Sequence, residues 1–360
     1  ALAARHAGRV KTFSIVHADP VYDERKASRA VADAIGSEHH EIELSTSPLS
    51  EDEFDRLVDH HGDPFADSSS LNVMRLSREM RRHVTVALSG DGGDEIFAGY
   101  PRFGQLRWIS AMARLPPFML REAERLFGSV PGRRTRQVAR ALRISSMPAT
   151  RRPVAFSTLF WPEEQTALVR PELWMKDAPG RLDEFLLSRG ALTERDPVAS
   201  AHWLEQRLIL PDDMLTKVDR MSMSASLEIR PPILGKAVLD FAGRLPFEAK
   251  HRGNNGKRIL RLVARRLVPP WVIDLPKKGF ALPLEQHGGA VFRDALRFAL
   301  EAGDSPLRDL FQPAALAQLT SDLARHGEGR DPEDSPFRRV HQRWLLAVLA
   351  RTLVRQGGTT

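Results

Sequence analysis

Residues 84–100 read VTVALSGDGGDEIFAGY, and this stretch decides both the fold class and the place where chemistry is expected. The run Val84–Leu88 is short, uncharged and rich in β-branched residues, which is typical of a strand in the middle of a parallel sheet. Residues 89–100 follow at once, with three glycines among residues 90–93. Because α/β proteins bind ligands beyond the carboxyl ends of their strands, this loop is the predicted functional site.

The same loop carries three carboxylates within five residues, Asp91, Asp94 and Glu95. Glycine backbone N–H groups can face an anion, but carboxylates beside phosphates would repel them unless a cation stood between. Mg²⁺ bridges carboxylates to nucleotide phosphates, so the loop predicts a magnesium–nucleotide site. The alternative is an acidic helix start that only complements the helix dipole. No Gly-Lys-Ser/Thr follows, which excludes a Walker loop.

The residues before the loop alternate between strand and helix patterns. Val10–His17 and His39–Leu44 have strand patterns, and Asp23–Ile35 between them has helical spacing. Such alternation predicts crossover connections and a doubly wound parallel α/β sheet. We expect a nucleotide-binding core over residues 1–105 and a mostly helical continuation over residues 106–360, where proline-rich joints separate the helices.

Three local signals indicate helices in the predicted core. Gly36 is the expected C-cap of the helix that precedes it. Ser50 and Glu53 form the ends of a capping box that begins the next helix. Apolar residues with helical spacing over Leu71–Met80 predict a further helix.

The composition is that of an ordinary globular protein with an excess of basic residues. Its 360 residues include 53 Lys and Arg, 46 Asp and Glu and no Cys, so disulfides, thiolate metal sites and a Cys nucleophile are excluded within the chain. No run approaches the roughly 18 apolar residues of a membrane span. The densest basic cluster, 132–136 with Arg140 and Arg143, is typical of a solvated helix face, and we expect no nucleic-acid partner.

Four motifs, in order, carry a family resemblance. Residues 89–100 resemble the signature loop of the asparagine synthetase family, the glutamine-dependent amidotransferases that activate a carboxylate with ATP. Residues 210–230 (LPDDMLTKVDRMSMSASLEIR), 255–257 (NGK) and 276–280 (PKKGF) agree with that family in order and spacing. The resemblance implies a fold of the adenine-nucleotide α-hydrolase type.

The resemblance also implies a reaction. With ATP and Mg²⁺, members adenylate an acid such as aspartate, and ammonia then displaces AMP to give the amide, here asparagine, and pyrophosphate. Adenylation is needed because an oxide or hydroxide leaving group makes a free carboxylate a poor electrophile.

Five residues match nucleotide-site positions of the family. The backbone of Ile15 would read adenine, and Ser89 and Gly90 would contact the nucleotide. Asp94 would hold Mg²⁺ and pyrophosphate, and Lys257 would lie against the α- and β-phosphates as a catalytic residue. Without the family, a lysine at a helix start would be expected to point into water.

The acceptor site is implied less directly. Asp91 matches the acidic position that orients the intermediate or manages the ammonia proton, and Asp67 and Ser69 lie in the segment near the amino-acid pocket. Asp67 could instead cap the next helix, and the charged residues over 212–220 could be site groups or a structural ion-pair network. Relatives that close β-lactam rings carry Tyr at the position of Asp91, which favours ordinary amide synthesis.

The resemblance also sets expectations about the rest of the protein. The family's pyrophosphate loop would sit just before Ala1, so we expect a synthetase domain truncated at its first strand and inactive by itself. Ammonia would come from an N-terminal glutaminase domain. The resemblance also implies a cytoplasmic full-length protein and is compatible with a homodimer. Residues 230–235 (RPPILG) depart from the family's Arg-x-Pro-Phe-Leu-Asp, which lines the ammonia path.

Two alternatives stay open at this point. A second amidotransferase or cyclase interpretation keeps the adenylation but uses another small carboxylate, such as a sugar acid, a peptide or a β-lactam precursor. A third interpretation is a non-catalytic, basic partner-binding protein.

Overall fold

The computed structural model describes residues 1–16, 23–43, 48–175, 177–188, 197–253, 255–275, 284, 289–325 and 336–357. The chain forms two compact units. The first comprises Ala1–His60, Asp67–Tyr100 and Asp212–His287, and the second comprises His61–Ala66, Pro101–Pro211 and Gly288–Thr360.

The first unit contains all four strands of the described residues. Its elements are α1 (Leu2–Ala7), β1 (Lys11–Val16), α2 (Arg25–Ile35), β2 (Glu38–Glu43), α3 (Glu51–His61), α4 (Ser69–Arg81), β3 (Val86–Leu88), α5 (Gly93–Ile96), α12 (Thr216–Met223), β4 (Glu228–Arg230), a 3₁₀ turn (Pro232–Leu234), α13 (Lys236–Arg244), α14 (Phe247–Lys250), α15 (Arg258–Ala264) and α16 (Pro270–Ile273).

The first strands form the crossover unit that the sequence predicts. β1 pairs in parallel with β2, with Lys11 opposite Glu38 and Ile15 opposite Ile42, and α2 connects them. Gly36 ends α2 in the left-handed conformation at φ 66°, which confirms the expected C-cap.

The prediction that Val84–Leu88 lies in the middle of a sheet is wrong for the described residues. Only Val86–Leu88 forms a strand, and β3 pairs in parallel with β4 alone, as a two-stranded sheet separate from β1–β2. Val86 is 42 % exposed and Leu88 59 % exposed. A run of apolar residues fits an exposed three-residue strand as well as a buried one, because the pattern reports hydrophobicity and not the number of neighbours.

The two small sheets share one hydrophobic core. Ile42 of β2, Met80 of α4 and Leu227 before β4 are buried together. Partly buried residues of both sheets pack against them, among them Ile15, Ala87 and Ile229. Side chains of β1 and β3 therefore pack in the same core.

The helix start at Ser50 combines a cap with an ion pair. Ser50 N donates to Glu53 Oε2 at 3.2 Å and Glu53 N donates to Ser50 Oγ at 3.2 Å, which confirms the predicted capping box. Arg75 of α4 lies 2.7 Å from the same Glu53 Oε2. Burial opposes ionisation, but the hydrogen bond and charge of Arg75 lower the pKa of Glu53. One carboxylate thus begins α3 and ties it to α4.

The second unit is helical in its described residues. Its elements are α6 (Arg102–Met112), α7 (Pro117–Ser129), α8 (Arg133–Ser145), a 3₁₀ turn (Val154–Ser157), α9 (Pro162–Leu168), α10 (Ala178–Ser188), α11 (Pro197–Leu204), α17 (Gly289–Glu301), α18 (Leu307–Leu310), α19 (Pro313–Arg325) and α20 (Pro336–Gly357). A π-helix (Glu205–Leu215) follows α11, and its residues from Asp212 onward belong to the first unit.

Helix α20 is the longest element of this unit and lies against α17. The ring of Trp344 on α20 is fully buried, with its centre 5.6 Å from that of Phe292 on α17. Within the described residues, no helix is both long and apolar enough to span a membrane.

Candidate active site

The glycine loop leaves β3 at its carboxyl end. Ser89 N donates to the carbonyl oxygen of Arg230 at 3.1 Å, so the β3–β4 hydrogen bonding continues one residue past Leu88. The chain then turns, and Gly93 N donates to Gly90 O at 3.3 Å where α5 begins. The loop therefore stands at the strand end where α/β proteins bind ligands.

Gly92 is required by two features of this turn. Its φ is 84°, a left-handed value that L-residues with side chains rarely adopt. A Cβ at this position would also overlap Leu234 and lie 2.9 Å from its Cγ. The loop thus packs directly on the 3₁₀ turn within residues 230–235, where the sequence departs from the family pattern.

Asp94 and Lys257 meet at the loop. Lys257 Nζ lies 3.0 Å from Asp94 Oδ2, and both side chains are about two-thirds buried or more, with exposed fractions of 33 % and 22 %. Lys257 is the N-cap of α15 and has a left-handed backbone, φ 53°. Its N–H donates to Phe97 O at 3.1 Å, so the backbone of this turn is bonded to the end of α5. A lysine at this helix start therefore points into the loop and not into water.

Gly99 leaves the space that the contact between Asp94 and Lys257 needs. A Cβ at position 99 would overlap Asp94 Oδ1 and lie 2.6 Å from Lys257 Cε. His251 connects this region to the segment before α15, since its Nδ1 lies 3.0 Å from Ala98 O and its Nε2 lies 2.8 Å from Gly253 O. Sequence reasoning missed His251, because a lone histidine far along the chain gives no local signal.

A second charged cluster joins α4 to α12. Lys217 Nζ lies 2.6 Å from Asp67 Oδ2, while Asp67 Oδ1 accepts hydrogen bonds from Ser69 N at 2.9 Å and Ser69 Oγ at 2.8 Å. Burial opposes the ionisation of Asp67, but the ammonium of Lys217 outweighs it and lowers the pKa of this carboxyl. Asp67 is thus both a turn residue at the start of α4 and half of a buried ion pair.

Asp213 is the third member of this cluster, and its pKa is raised where that of Asp67 is lowered. Burial, followed by the charge of Asp67, raises the pKa of Asp213 to about 7. A proton on Asp213 forms a hydrogen bond to Asp67, and Glu95 contributes a further repulsive charge. Tyr100 Oη donates to Glu95 Oε1. The cluster therefore holds a carboxyl that exchanges its proton near neutrality.

The profile of the asparagine synthase family matches residues 1–351. The chain belongs to the asparagine synthase family.

The relatives belong to several microbes. The chain is 28 % identical over 279 residues to asparagine synthetase [glutamine-hydrolyzing] 1 of Bacillus subtilis (strain 168), covering 76 % of the chain and 43 % of the relative. It is 30 % identical over 292 residues to a putative asparagine synthetase [glutamine-hydrolyzing] of Mycobacterium bovis, covering 79 % and 43 %. The chain thus spans about two fifths of the length of these relatives.

Several site residues predicted from the asparagine synthase resemblance lie in the two clusters just described. Asp94 pairs with Lys257 beside the glycines, and Asp67 and Ser69 bond to each other. Ser89 is the first residue after β3. The fourth motif, 276–280, lies outside the described residues.

The other three predicted site residues, Ile15, Gly90 and Asp91, lie on β1 and in the glycine loop. Ile15 is on β1 and packs against the core that it shares with Ala87 of β3. Gly90 is exposed and Asp91 half-buried, and both lie in the turn between β3 and α5. The strand predicted to contact adenine and the strand that leads into the loop therefore share one core.

The residues of the loop fit a magnesium–nucleotide ligand. Among the described residues, no group of three His, Asp or Glu could hold a metal ion through protein side chains alone. Mg²⁺ bound with a nucleotide needs only one or two carboxylates, because phosphates and waters complete its shell. Asp94 supplies such a carboxylate, and the buried hydroxyl of Ser89 has no hydrogen-bond partner in the described part of the chain.

Proposed function

We propose that this chain carries the carboxylate-activating site of an ATP-dependent amidotransferase of the adenine-nucleotide α-hydrolase type. The site adenylates the side chain of aspartate, and ammonia derived from glutamine converts the adenylate to asparagine. The observation that carries the proposal is the Lys257–Asp94 contact of 3.0 Å at the glycine loop. It supports a site with one cationic and one anionic group at the expected position of the phosphates.

The first step joins the acid to AMP. A carboxylate oxygen of aspartate attacks the α-phosphorus of ATP, the bond to the bridging oxygen breaks, and pyrophosphate leaves. Lys257 places its ammonium against the charge that develops on the α- and β-phosphates, which is the interaction that lowers the barrier. Gly90 and the neighbouring backbone N–H groups orient the phosphates, and Ser89 donates its hydroxyl to the nucleotide.

Magnesium would be held by Asp94 and would neutralise the charge of the leaving pyrophosphate. Before the nucleotide binds, Lys257 balances the Asp94 carboxylate. Gly99 leaves room for both side chains. The loop is prepared for an anionic substrate before that substrate arrives.

The second step forms the amide. Ammonia attacks the carbonyl carbon, the bond from that carbon to the bridging oxygen breaks, and AMP leaves with an oxygen that came from aspartate. The nitrogen must lose one proton. Asp91, in the loop beside the nucleotide position, accepts it, while Asp67 and Ser69 orient the substrate. We place this reaction in the cytoplasm, where ATP and aspartate are available.

An isotope experiment tests the route. Aspartate labelled with ¹⁸O in its side-chain carboxylate is supplied with ATP, Mg²⁺ and ammonium to the natural protein that contains this chain. Mass spectrometry should find one ¹⁸O in AMP. Label in inorganic phosphate, with ADP as product, would show phosphorylation and contradict the proposal.

Alanine variants of two lysines, one in the site and one outside it, provide a matched comparison. Lys257→Ala should abolish aspartate-dependent pyrophosphate release and leave glutamine hydrolysis intact. Lys236→Ala removes an 88 % exposed lysine of α13 in the same unit and should change neither rate. Equal synthesis in both variants would remove Lys257 from the mechanism. Competition between aspartate and other small acids in the same assay identifies the acceptor.

A further inference from the structure

A cavity of about 970 Å³ lies within the second unit, among helices α7, α8, α9, α19 and α20. Arginine is the dominant residue of its described lining, which includes seven arginines and two glutamates. Small-molecule sites have volumes of roughly 300–1,000 Å³, so the cavity has the size of a ligand pocket.

Helix α8 directs a row of arginines to this cavity. Arg136, Arg140 and Arg143 follow one another at spacings of four and three, so they share one helix face, and all three line the cavity. The cluster predicted to form a solvated helix face thus contributes three arginines to this cavity. The spacing was visible in the sequence, but the sequence does not show that another arginine-bearing helix stands opposite.

Helix α20 is that helix. Arg338, Arg339 and Arg343 line the cavity from α20, and Arg125 of α7 adds a seventh guanidinium. Like charges four residues apart destabilise a helix by about 0.2–0.5 kcal/mol per pair, and two such rows around one cavity repel each other further. Acidic partners such as Glu124 and Glu163 at Arg143 offset part of this repulsion, and an anion inside the cavity would offset more of it.

Part of the arginine set is fixed in place before any ligand binds. The guanidinium of Arg143 lies 4.5 Å, and that of Arg338 5.4 Å, from the centre of the Trp161 ring. Arg143 Nη1 is 3.6 Å from Glu124 Oε1, and Arg338 pairs with Glu164. Ordered guanidinium groups lose less conformational entropy when they bind an anion, and their planar donors match phosphate oxygens in pairs.

We propose that this cavity binds a small anion with several phosphate groups, such as an inorganic polyphosphate or a nucleoside triphosphate. The charge and the donor geometry call for phosphate. The volume of the cavity favours a small molecule over a nucleic-acid strand, which needs an extended groove. The site belongs to the second unit and does not depend on the chemistry at Lys257.

Calorimetry with sodium tripolyphosphate, without Mg²⁺, tests the proposal. The natural protein carrying Lys257→Ala serves as the reference, since this change weakens any binding at the glycine loop. We expect one micromolar site whose affinity falls steeply with salt, and binding at least tenfold weaker after Arg136→Ala with Arg343→Ala. Arg293→Ala with Arg297→Ala removes the same charge from exposed positions of α17 and should leave the affinity within twofold.

Thermal unfolding keeps the test independent of folding defects. Tripolyphosphate should raise the melting temperature of the reference and of the α17 control but not that of the Arg136/Arg343 variant, which should still unfold cooperatively. ATP in place of tripolyphosphate distinguishes a nucleotide from a bare polyphosphate. Equal binding by the variant and the control would overturn the proposal, as would binding of an RNA oligonucleotide without binding of tripolyphosphate.

Discussion

Lys217 Nζ lies 2.6 Å from Asp67 Oδ2, although 150 positions separate the two residues in the sequence. Only 8 % of the Lys217 side chain and 24 % of the Asp67 side chain are exposed. The ion pair joins α12 to the start of α4 and thus connects two segments of the first unit that are far apart in the sequence. Burial raises the pKa of Asp213 and the charge of the same Asp67 raises it further, so the ion pair also influences the titration of a third residue.

Removing the charge of Asp67 should be costly. Asp67→Asn leaves Lys217 buried without its counter-ion, and breaking a buried pair on one side costs about 3–5 kcal/mol. Urea denaturation measures this loss. Asp240→Asn breaks an exposed ion pair with Lys236 and should cost less than about 0.5 kcal/mol. Similar losses in the two variants would show that the Asp67 pair is energetically unimportant.

Asp213 should make the protein less stable as pH rises. Its pKa is about 7 in the folded protein against 3.8 ordinarily, so between these values the folded state binds more protons than the unfolded state. Stability from this group is therefore complete below about pH 4 and is lost as pH rises towards and through 7. The largest effect is on the order of 4 kcal/mol, at about 1.36 kcal/mol per pKa unit.

Asp213→Asn isolates that effect, because an amide keeps the shape of the protonated acid. The variant should match the wild type near pH 4 and exceed its stability at pH 8. Urea denaturation from pH 4 to pH 8 provides the comparison. Parallel pH curves for the two proteins would mean that Asp213 titrates at its ordinary pKa.

Gly99→Ala should separate Asp94 from Lys257. The new methyl group overlaps Asp94 Oδ1, so the carboxylate or the lysine must move. Overpacking of this kind costs about 1–3 kcal/mol, and we expect pyrophosphate release to fall at least tenfold. Gly243→Ala on α13, where a methyl group meets no atom within 4 Å, should instead gain about 0.5–1 kcal/mol. Full activity in Gly99→Ala would exclude a role for the Asp94–Lys257 distance.

Glu53→Gln should weaken the start of α3. The amide keeps part of the capping box but loses the charge that pairs with Arg75, which is 8 % exposed, so a loss of about 2–3 kcal/mol is expected at pH 7. Since the folded pKa of Glu53 is lowered, its contribution is present above the ordinary value and lost as pH falls through the folded pKa. The difference between variant and wild type should therefore shrink in acid. An acid-independent difference would contradict the ion-pair explanation.

Local features of the fold were predictable because each rests on neighbours in the chain. The Gly36 cap and the Ser50–Glu53 box depend on residues within one helical turn, and both are confirmed. Prolines at 117, 232 and 270 each open a helix or 3₁₀ turn, as their fixed φ and missing N–H favour. The position of the glycine loop at the end of β3 follows from the same kind of evidence.

Long-range pairings could not be predicted in this way. β4 is three residues long with charged ends, Glu228 and Arg230, so it has no strand pattern of its own and forms because β3 lies beside it. The partners of Lys217 and Arg136 were equally hidden, since a charged side chain shows its sign in the sequence but not what stands opposite. The residues of the glycine loop were predictable as a motif, while their contact with Lys257 required the fold.

The backbone bond from Lys257 to Phe97 has a practical consequence for protein engineering. Residues 251–257 and the loop after β3 hold each other through main-chain atoms, with His251 bridging Ala98 and Gly253. A transplant of the loop alone into another scaffold would lose the support that positions it. The smallest portable piece of this site is a pair of segments, and any chimera must exchange both together.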